Sequence, residues 1–368
     1  MARIVIHEHS KEWAPAVCLF NERLDAGGSE FSFPEMPAEN RETQNISQIR
    51  YLATEGEHVR GGFILKWQDF SFGGDVHRIA HLKLPLSEGI VDKKYARVGL
   101  QIVRQALKTE PLLFCLGMGG VDRPLPTMLA ALRWEVSEVP FLFRANRGGA
   151  FARNILPLRT TPGRRQAFDL AAATGAAHVG LRAIHFGQSL RRLRFRAITR
   201  SVKYESIDGD FGDRADELWR CCRTEYPMSA VRDASVLNEL YPANTAFIRL
   251  RVIRDGYMIG WVVGLDSQLV DHKQFGDMRL GSIVDCFSHP DDSAEVTHAM
   301  TQVLRRRGVD LIISNQAHSA WQDALLDDGY LEGPSNFAFA ASPKLSALIS
   351  PQSPLHLNRG DGDGPINL

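Results

Sequence analysis

A chain of 368 residues, 44% hydrophobic and 23% charged, is long for one domain and carries enough apolar material for two soluble cores. Its 43 Lys and Arg residues balance 43 Asp and Glu, so no charge excess draws it to nucleic acid or to a membrane surface. No apolar run approaches the roughly 18 residues of a membrane span, and Met1-Ala-Arg-Ile-Val-Ile has no apolar leader centre, so membrane insertion is not expected.

In chain order, Ile4–Ile6 reads as a strand, Ala14–Leu24 as a helix, and the polar stretch 28–47 as an exposed loop. Ile49–Ala53 and Gly61–Phe72 form a strand pair around Glu55-Gly56-Glu57. The Leu82–Val91 strand feeds a helix from about Val98. Pro111–Met118 is a buried-type strand, Pro126–Arg133 a short helix, and Glu138–Arg144 the strand that closes the first sheet. Thr160-Thr-Pro-Gly-Arg-Arg is expected as a turn, and Phe168–Ala177 and Ala183–Leu190 as helices. Arg191, Arg192, Arg194, Arg196, Arg200 and Lys203 crowd the stretch that follows. The second half repeats the element order: Val202–Ser206, a helix at Asp213–Arg223, the Phe247–Ile253 and Tyr257–Leu265 hairpin around Asp255-Gly256, then Gly281–Ser288, Ala294–Arg306, Val309–Ser314, Ser319–Leu326 and a last strand at Asn336–Ala341. The expected organisation is an α/β domain over 1–150, a helical basic connector over 151–200, a second α/β domain over 201–345, and a disordered tail over 346–368 rich in Pro, Gly, Asp and Asn.

The stretch Leu82–Leu107 carries the most chemistry. An alternating strand enters a helix through a cationic turn holding Lys93, Lys94 and Arg97. Such a junction points backbone N–H groups at one spot, where the helix dipole also favours an anion. The frame Val91-Asp-Lys-Lys-Tyr95-Ala96-Arg97-Val-Gly99-Leu100-Gln101 resembles the acyl-CoA loop of the GNAT acetyltransferases, Val-x-Pro-x-Tyr-Arg-Gly-x-Gly-Ile-Gly. Val91, Tyr95, Gly99 and Leu100 match, whereas Ala96, Arg97 and Gln101 depart from it.

The resemblance implies two tandem GNAT-like domains, each a mixed, mostly antiparallel sheet flanked by helices. It implies acetyl-CoA, or another acyl-CoA, as co-substrate. Gly89, Ile90 and Val91 would then hold pantetheine, and Lys94, Tyr95, Arg97, Val98, Gly99 and Leu100 the pyrophosphate. Glu88 is the expected base and Asp122 the second catalytic candidate, near the emerging thiolate. In the second half the matching place reads His289-Pro-Asp291-Asp292, with Glu295 following, and its carboxylates repel a pyrophosphate. Asp285, His289, Asn315 and His318 sit at the ends of two strands expected as neighbours and are candidate substrate-binding groups. Cys18, Cys115, Cys221, Cys222 and Cys286 show no metal or disulfide spacing, so reduced thiols, no metal and a cytoplasmic setting are expected.

The function implied is N-acyl transfer to a small amine or amino sugar, with surface-polysaccharide synthesis as one setting, by a monomer or homodimer. Two alternatives stand beside it. One is a Fem-type aminoacyl-tRNA-dependent transferase, the only reading in which a nucleic acid is a partner. The other is a non-catalytic scaffold with eroded loops.

Overall fold

The computed structural model describes residues 3–37, 45–156, 159, 161–187, 195, 198–199, 202–349 and 354–362. Its strands are β1 (Val5–Glu8), β2 (Ser47–Glu55), β3 (His58–Phe72), β4 (Asp75–Ser87), β5 (Leu113–Met118), β6 (Glu135–Glu138), β7 (Phe141–Ala145), β8 (Lys203–Ser206), β9 (Ser229–Ala230), β10 (Ile248–Arg254), β11 (Tyr257–Gln268), β12 (Arg279–Ser288), β13 (Leu311–Asn315), β14 (Leu331–Gly333) and β15 (Phe337–Ala341). The helices are α1 (Ala14–Ala26), α2 (Ala96–Thr109), α3 (Pro124–Ala131), α4 (Gly148–Asn154), α5 (Pro162–Ala173), α6 (Ala176–Gly187), α7 (Asp213–Cys222), α8 (Ala234–Leu240), α9 (Ser293–Arg306), α10 (Ser319–Asp327) and α11 (Pro343–Ser346). The chain forms two compact units, 1–138 with 336–353 and 139–335 with 354–368. Among the described residues, no helix is long and apolar enough to cross a membrane.

In the first unit the strands run β1-β2-β3-β4-β5-β15-β6, and only β4 and β5 are parallel. Helix α2 covers one face. Its Val98, Ile102, Val103 and Ala106 recur at helical spacing and pack on Ala80, Leu82, Leu113 and Cys115. Each of the larger side chains contributes about 1.5–3 kcal/mol by leaving water.

The β4–β5 pairing is short. Ala80 faces Leu113 and His81 faces Phe114, and the strands then part. The cause lies in Leu84-Pro85. Against β3 the register shifts between Gly62 and Ile64, so β4 carries an extra residue there, and Leu84 takes φ +47°. A bulge bends its strand, and the following proline has no N–H for a ladder.

The second unit repeats the plan in the order β14-β7-β13-β12-β11-β10-β8, with β12 and β13 as its parallel pair. Four positions pair, from Leu280↔Leu311 to Ile283↔Ser314, and a register shift against β11 then leaves Val284 as the extra residue. Helix α9 packs Val296, Met300 and Leu304 against Trp261, Val262 and Phe287.

Four expectations need correction. The strand read as closing the first sheet is two strands: β6 stays with β15, whereas β7 pairs with β13 in the second unit, Leu311 opposite Ala145. Likewise β15, read as the last strand of the second half, pairs with β5 and β6 in the first unit. Apolar alternation specifies that a strand forms, not which edge it joins. The turn expected over 160–165 is instead a helix start in its described part, in which Thr161 Oγ1 accepts from Arg164 N–H at 3.3 Å and Pro162 opens α5. Finally, the stretch expected as a disordered tail has an ordered, largely buried part at 354–362. Arg191, Arg192, Arg194, Arg196 and Arg200 lie outside the described residues.

Candidate functional site

Beyond Ser87 the first unit turns twice, through 3-10 turns at Glu88–Ile90 and Lys93–Tyr95, before α2 begins at Ala96. The turn is tied from within. Val91 and Asp92 N–H donate to the Glu88 carbonyl at 3.0 and 2.8 Å. The Asp92 side chain accepts from Lys94 N–H at 2.9 Å, and its carbonyl accepts from Tyr95 N–H at 2.9 Å. Ala96 N–H donates to Lys93, which leaves Arg97 and Val98 heading the helix. Lys93, Lys94 and Arg97 are exposed around it, with the Lys94 ammonium 5.3 Å from the Tyr95 ring centre. Preformed N–H groups, a helix N-terminus and three cations are the chemistry an anion needs.

The two glycines at this junction differ. A Cβ on Gly99 would meet only Ser87 Oγ at 3.5 Å, so the space beside it is open. A Cβ on Gly89 would lie 2.7 Å from Ala96 Cα and from the Tyr95 carbonyl oxygen. The close approach at Gly89 is thus used by the protein's own helix start. Of the other expected cofactor contacts, Ile90 is exposed, Val91 packs beside Gly27, Tyr95 and Val98 are buried, and Leu100 is half-buried.

Glu88 is buried and held by two guanidiniums. Arg23 Nε reaches Oε1 at 2.9 Å and Arg60 Nη1 reaches Oε2 at 2.9 Å. Arg60 also lies 4.2 Å over the Tyr95 ring. Both carboxylate oxygens are occupied, which suits Glu88 to fixing the turn rather than to accepting a proton. Asp122 sits exposed in the turn after β5, and Cys115 lies in the core under α2.

Sequence reasoning missed His81. It stands where β4 and β5 part, stacked on Phe114 at 4.7 Å, and its Nε2 accepts the Leu116 N–H at 3.2 Å. That N–H lies two residues past the last paired position of β5, so the imidazole replaces the missing ladder acceptor. Burial pushes the His81 pKa well below its ordinary value, with Lys83 and Lys66 adding to the effect. The ring is therefore neutral, its proton sits on Nδ1, and that N–H is buried without a partner. The only signal was a histidine within apolar alternation, which is more often a core residue.

In the second unit the corresponding fork is filled by the chain itself. Gln316 bridges to Asn358, and Asn358 Nδ2 donates to Asp285 Oδ1 at 2.8 Å. Arg232 joins Asp285 Oδ2 at 2.7 Å to Asp361 Oδ1 at 2.5 Å, and Tyr241 Oη donates to Asp285 at 2.6 Å. Burial alone lowers the Arg232 pKa, but Asp285 and Asp361 hold it above its ordinary value. Gly360 fits because any Cβ would collide with the Tyr241 hydroxyl.

The structure brings Asp285 and Asn315 to this segment, Asn315 Oδ1 accepting from Arg359 at 3.1 Å. His318 instead caps α10 through Ala320 N–H at 3.2 Å, 5.2 Å from the Tyr226 ring, and burial lowers its pKa. His289 is apart from them, half-buried, its Nδ1 accepting from Asp291 N–H at 3.2 Å. The head of α9 carries Asp291, Asp292 and Glu295, and Arg254 bonds the last two at 2.7 and 3.1 Å.

Comparison with solved structures decides the fold. Saccharomyces cerevisiae N-myristoyltransferase, determined with bound myristoyl-CoA, matches over 93% of this chain and 82% of its own, at TM-score 0.52 and 10% identity. A GCN5-related N-acetyltransferase from Anabaena variabilis matches over 92% of this chain and 72% of its own, at TM-score 0.50 and 9% identity. The fold is GNAT-like. The first unit keeps an open strand fork beside a cationic helix start, and the second GNAT-like unit has its fork closed. No family model and no curated protein matches the sequence.

Proposed function

We propose that the protein is an acyl-CoA-dependent N-acyltransferase that binds its acyl donor in the first unit alone. The observation that carries this reading is the contrast between the forks. In the first unit β4 and β5 part after His81 and Phe114, and the strand runs on into a tied turn headed by Lys93, Lys94 and Arg97. In the second the fork holds Asn358 and carboxylates crowd the helix head. The fold shared with an N-myristoyltransferase and an N-acetyltransferase supports the same reaction class.

The backbone of Gly89–Val91 would hold pantetheine. The N–H groups of Arg97 and Val98, with the Lys94 and Arg97 side chains, would hold the pyrophosphate, and open space beside Gly99 and Leu100 would admit it. Tyr95 fixes the turn through Arg60. The acceptor is a small amine or amino sugar, whose nitrogen lone pair attacks the thioester carbonyl. The C–N bond forms as the C–S bond breaks, the amine proton passes to a carboxylate, and the thiolate leaves to take up a proton. Asp122 is the better candidate for that base, because guanidiniums occupy both Glu88 oxygens.

Calorimetric titration with acetyl-CoA, beside a Gly99→Trp variant, tests the reading. It expects binding in the parent and at least a tenfold loss in the variant. No binding in the folded parent would overturn it and leave the aminoacyl-tRNA-dependent and scaffold readings standing.

A further inference from the structure

Outside both forks, the second unit has a cavity of about 650 Å³ on the side of α9 turned away from its core. That size suits a small-molecule ligand. His298, Gln302 and Arg306 approach it at four-residue spacing, with Arg305 beside them, Arg144 from β7 and Asp328 from the turn after α10. Three guanidiniums against one carboxylate leave a formal excess of two positive charges.

The polar atoms here are incompletely paired. Arg144 Nη1 reaches Asp328 Oδ1 at 3.3 Å, yet Arg144 Nε is buried with no partner. Gln302 Nε2 donates to His298 Nε2 at 3.1 Å, so Nε2 is the ring's acceptor and Nδ1 its donor. That Nδ1 is 3.2 Å from Asp328 Oδ2 but not aligned for a hydrogen bond, and both atoms are buried and unsatisfied. Buried donors without acceptors are costly, and native proteins seldom keep several together without an occupant. Arg305 is open to solvent on one side, yet partial desolvation by the neighbouring side chains, with the Arg144 charge beside it, lowers its pKa, and a bound anion relieves that repulsion. Arg306 is already engaged by Tyr204 at 2.7 Å, and Phe195 stands edge-on to His298 at 5.3 Å, which gives the cavity an aromatic wall.

We propose that this cavity binds a small phosphomonoester bearing a hydroxyl group, the chemistry of a sugar phosphate. The dianion answers the two excess charges, and its terminal oxygens accept from Arg144, His298 and Arg305. The ligand hydroxyl donates to Asp328 Oδ2, and its carbon skeleton lies against Phe195 and Tyr204. This site is separate from the acyl-donor site and does not depend on it.

The test follows the His298 ring signal by NMR, identified by its loss in His298→Gln, at constant ionic strength. Inorganic phosphate, glucose 6-phosphate and acetate are titrated in turn. The proposal expects saturable shifts with both phosphates, tighter binding of glucose 6-phosphate, and at least a tenfold weaker affinity in Arg305→Gln, whose exposed side chain can change without unfolding the protein. No shift, an equal response to acetate, or an unchanged affinity in Arg305→Gln would overturn it.

Discussion

Glu88 shows how a residue's surroundings decide its role. From the sequence it is a carboxylate at the end of a strand beside an anion-ready turn. In the folded protein Arg23 and Arg60, 65 and 28 residues away in the chain, take both oxygens. Glu88→Gln therefore leaves Arg23 without its carboxylate and Arg60 with Glu55 alone, and should cost about 2 kcal/mol in urea unfolding, less than a fully buried pair because Arg23 is partly exposed. Asp122→Asn should leave stability unchanged and lower kcat by at least a hundredfold once an amine acceptor is in hand. Equal kinetic losses in the two variants would contradict this division of roles. The buried histidines set the acid limit. Burial pushes His356 down to about 3, so between pH 6.5 and 3 the unfolded chain takes up a proton that the folded one refuses. Stability should fall with decreasing pH across that window by about 1.4 kcal/mol per unit, with His81 adding in the same direction. In melting curves from pH 7 to 4, His356→Gln should flatten the slope, and an unchanged slope would contradict the assignment.

At the scale of elements, the two parallel strand pairs end differently for local reasons. Leu84-Pro85 bends β4 away from β5, and Val284 does the same for β12. Residues 358–361 then enter the second fork, where Asp285 and Arg232 need partners that main-chain pairing no longer supplies. Gly360→Ala should destabilise the second unit by about 1–3 kcal/mol, seen as a lower urea midpoint, because the new Cβ meets Tyr241 Oη. An unchanged midpoint would show that this segment does not seal the fork. Much at this scale was legible in advance. The α2 spacing, the cationic turn and the Asp255-Gly256 hairpin all follow from local pattern. The fork closure was not, because Arg232 and Asp361 stand 129 residues apart and the segment around Asp361 has the composition of a loop.

For the whole molecule, duplicated element order was readable because each half repeats the same periodicities. The exchange of β7 and β15 between the units was not, since Phe-Leu-Phe-Arg-Ala and Phe-Ala-Phe-Ala-Ala read alike as short apolar strands. The turn and helix start that carry Lys94, Tyr95, Arg97 and Gly99 were legible, because they rest on local backbone pattern and charge. The site was not legible where partners come from distant strands, as at Glu88, His81 and Asp285. If one unit binds the acyl donor and the other is closed, acetyl-CoA protects the first fork alone. Amide hydrogen exchange with and without saturating acetyl-CoA tests it most directly. Exchange should slow over Leu86–Leu100 and stay unchanged over Cys286–Glu295. Protection in the second stretch, or none in the first, would contradict it.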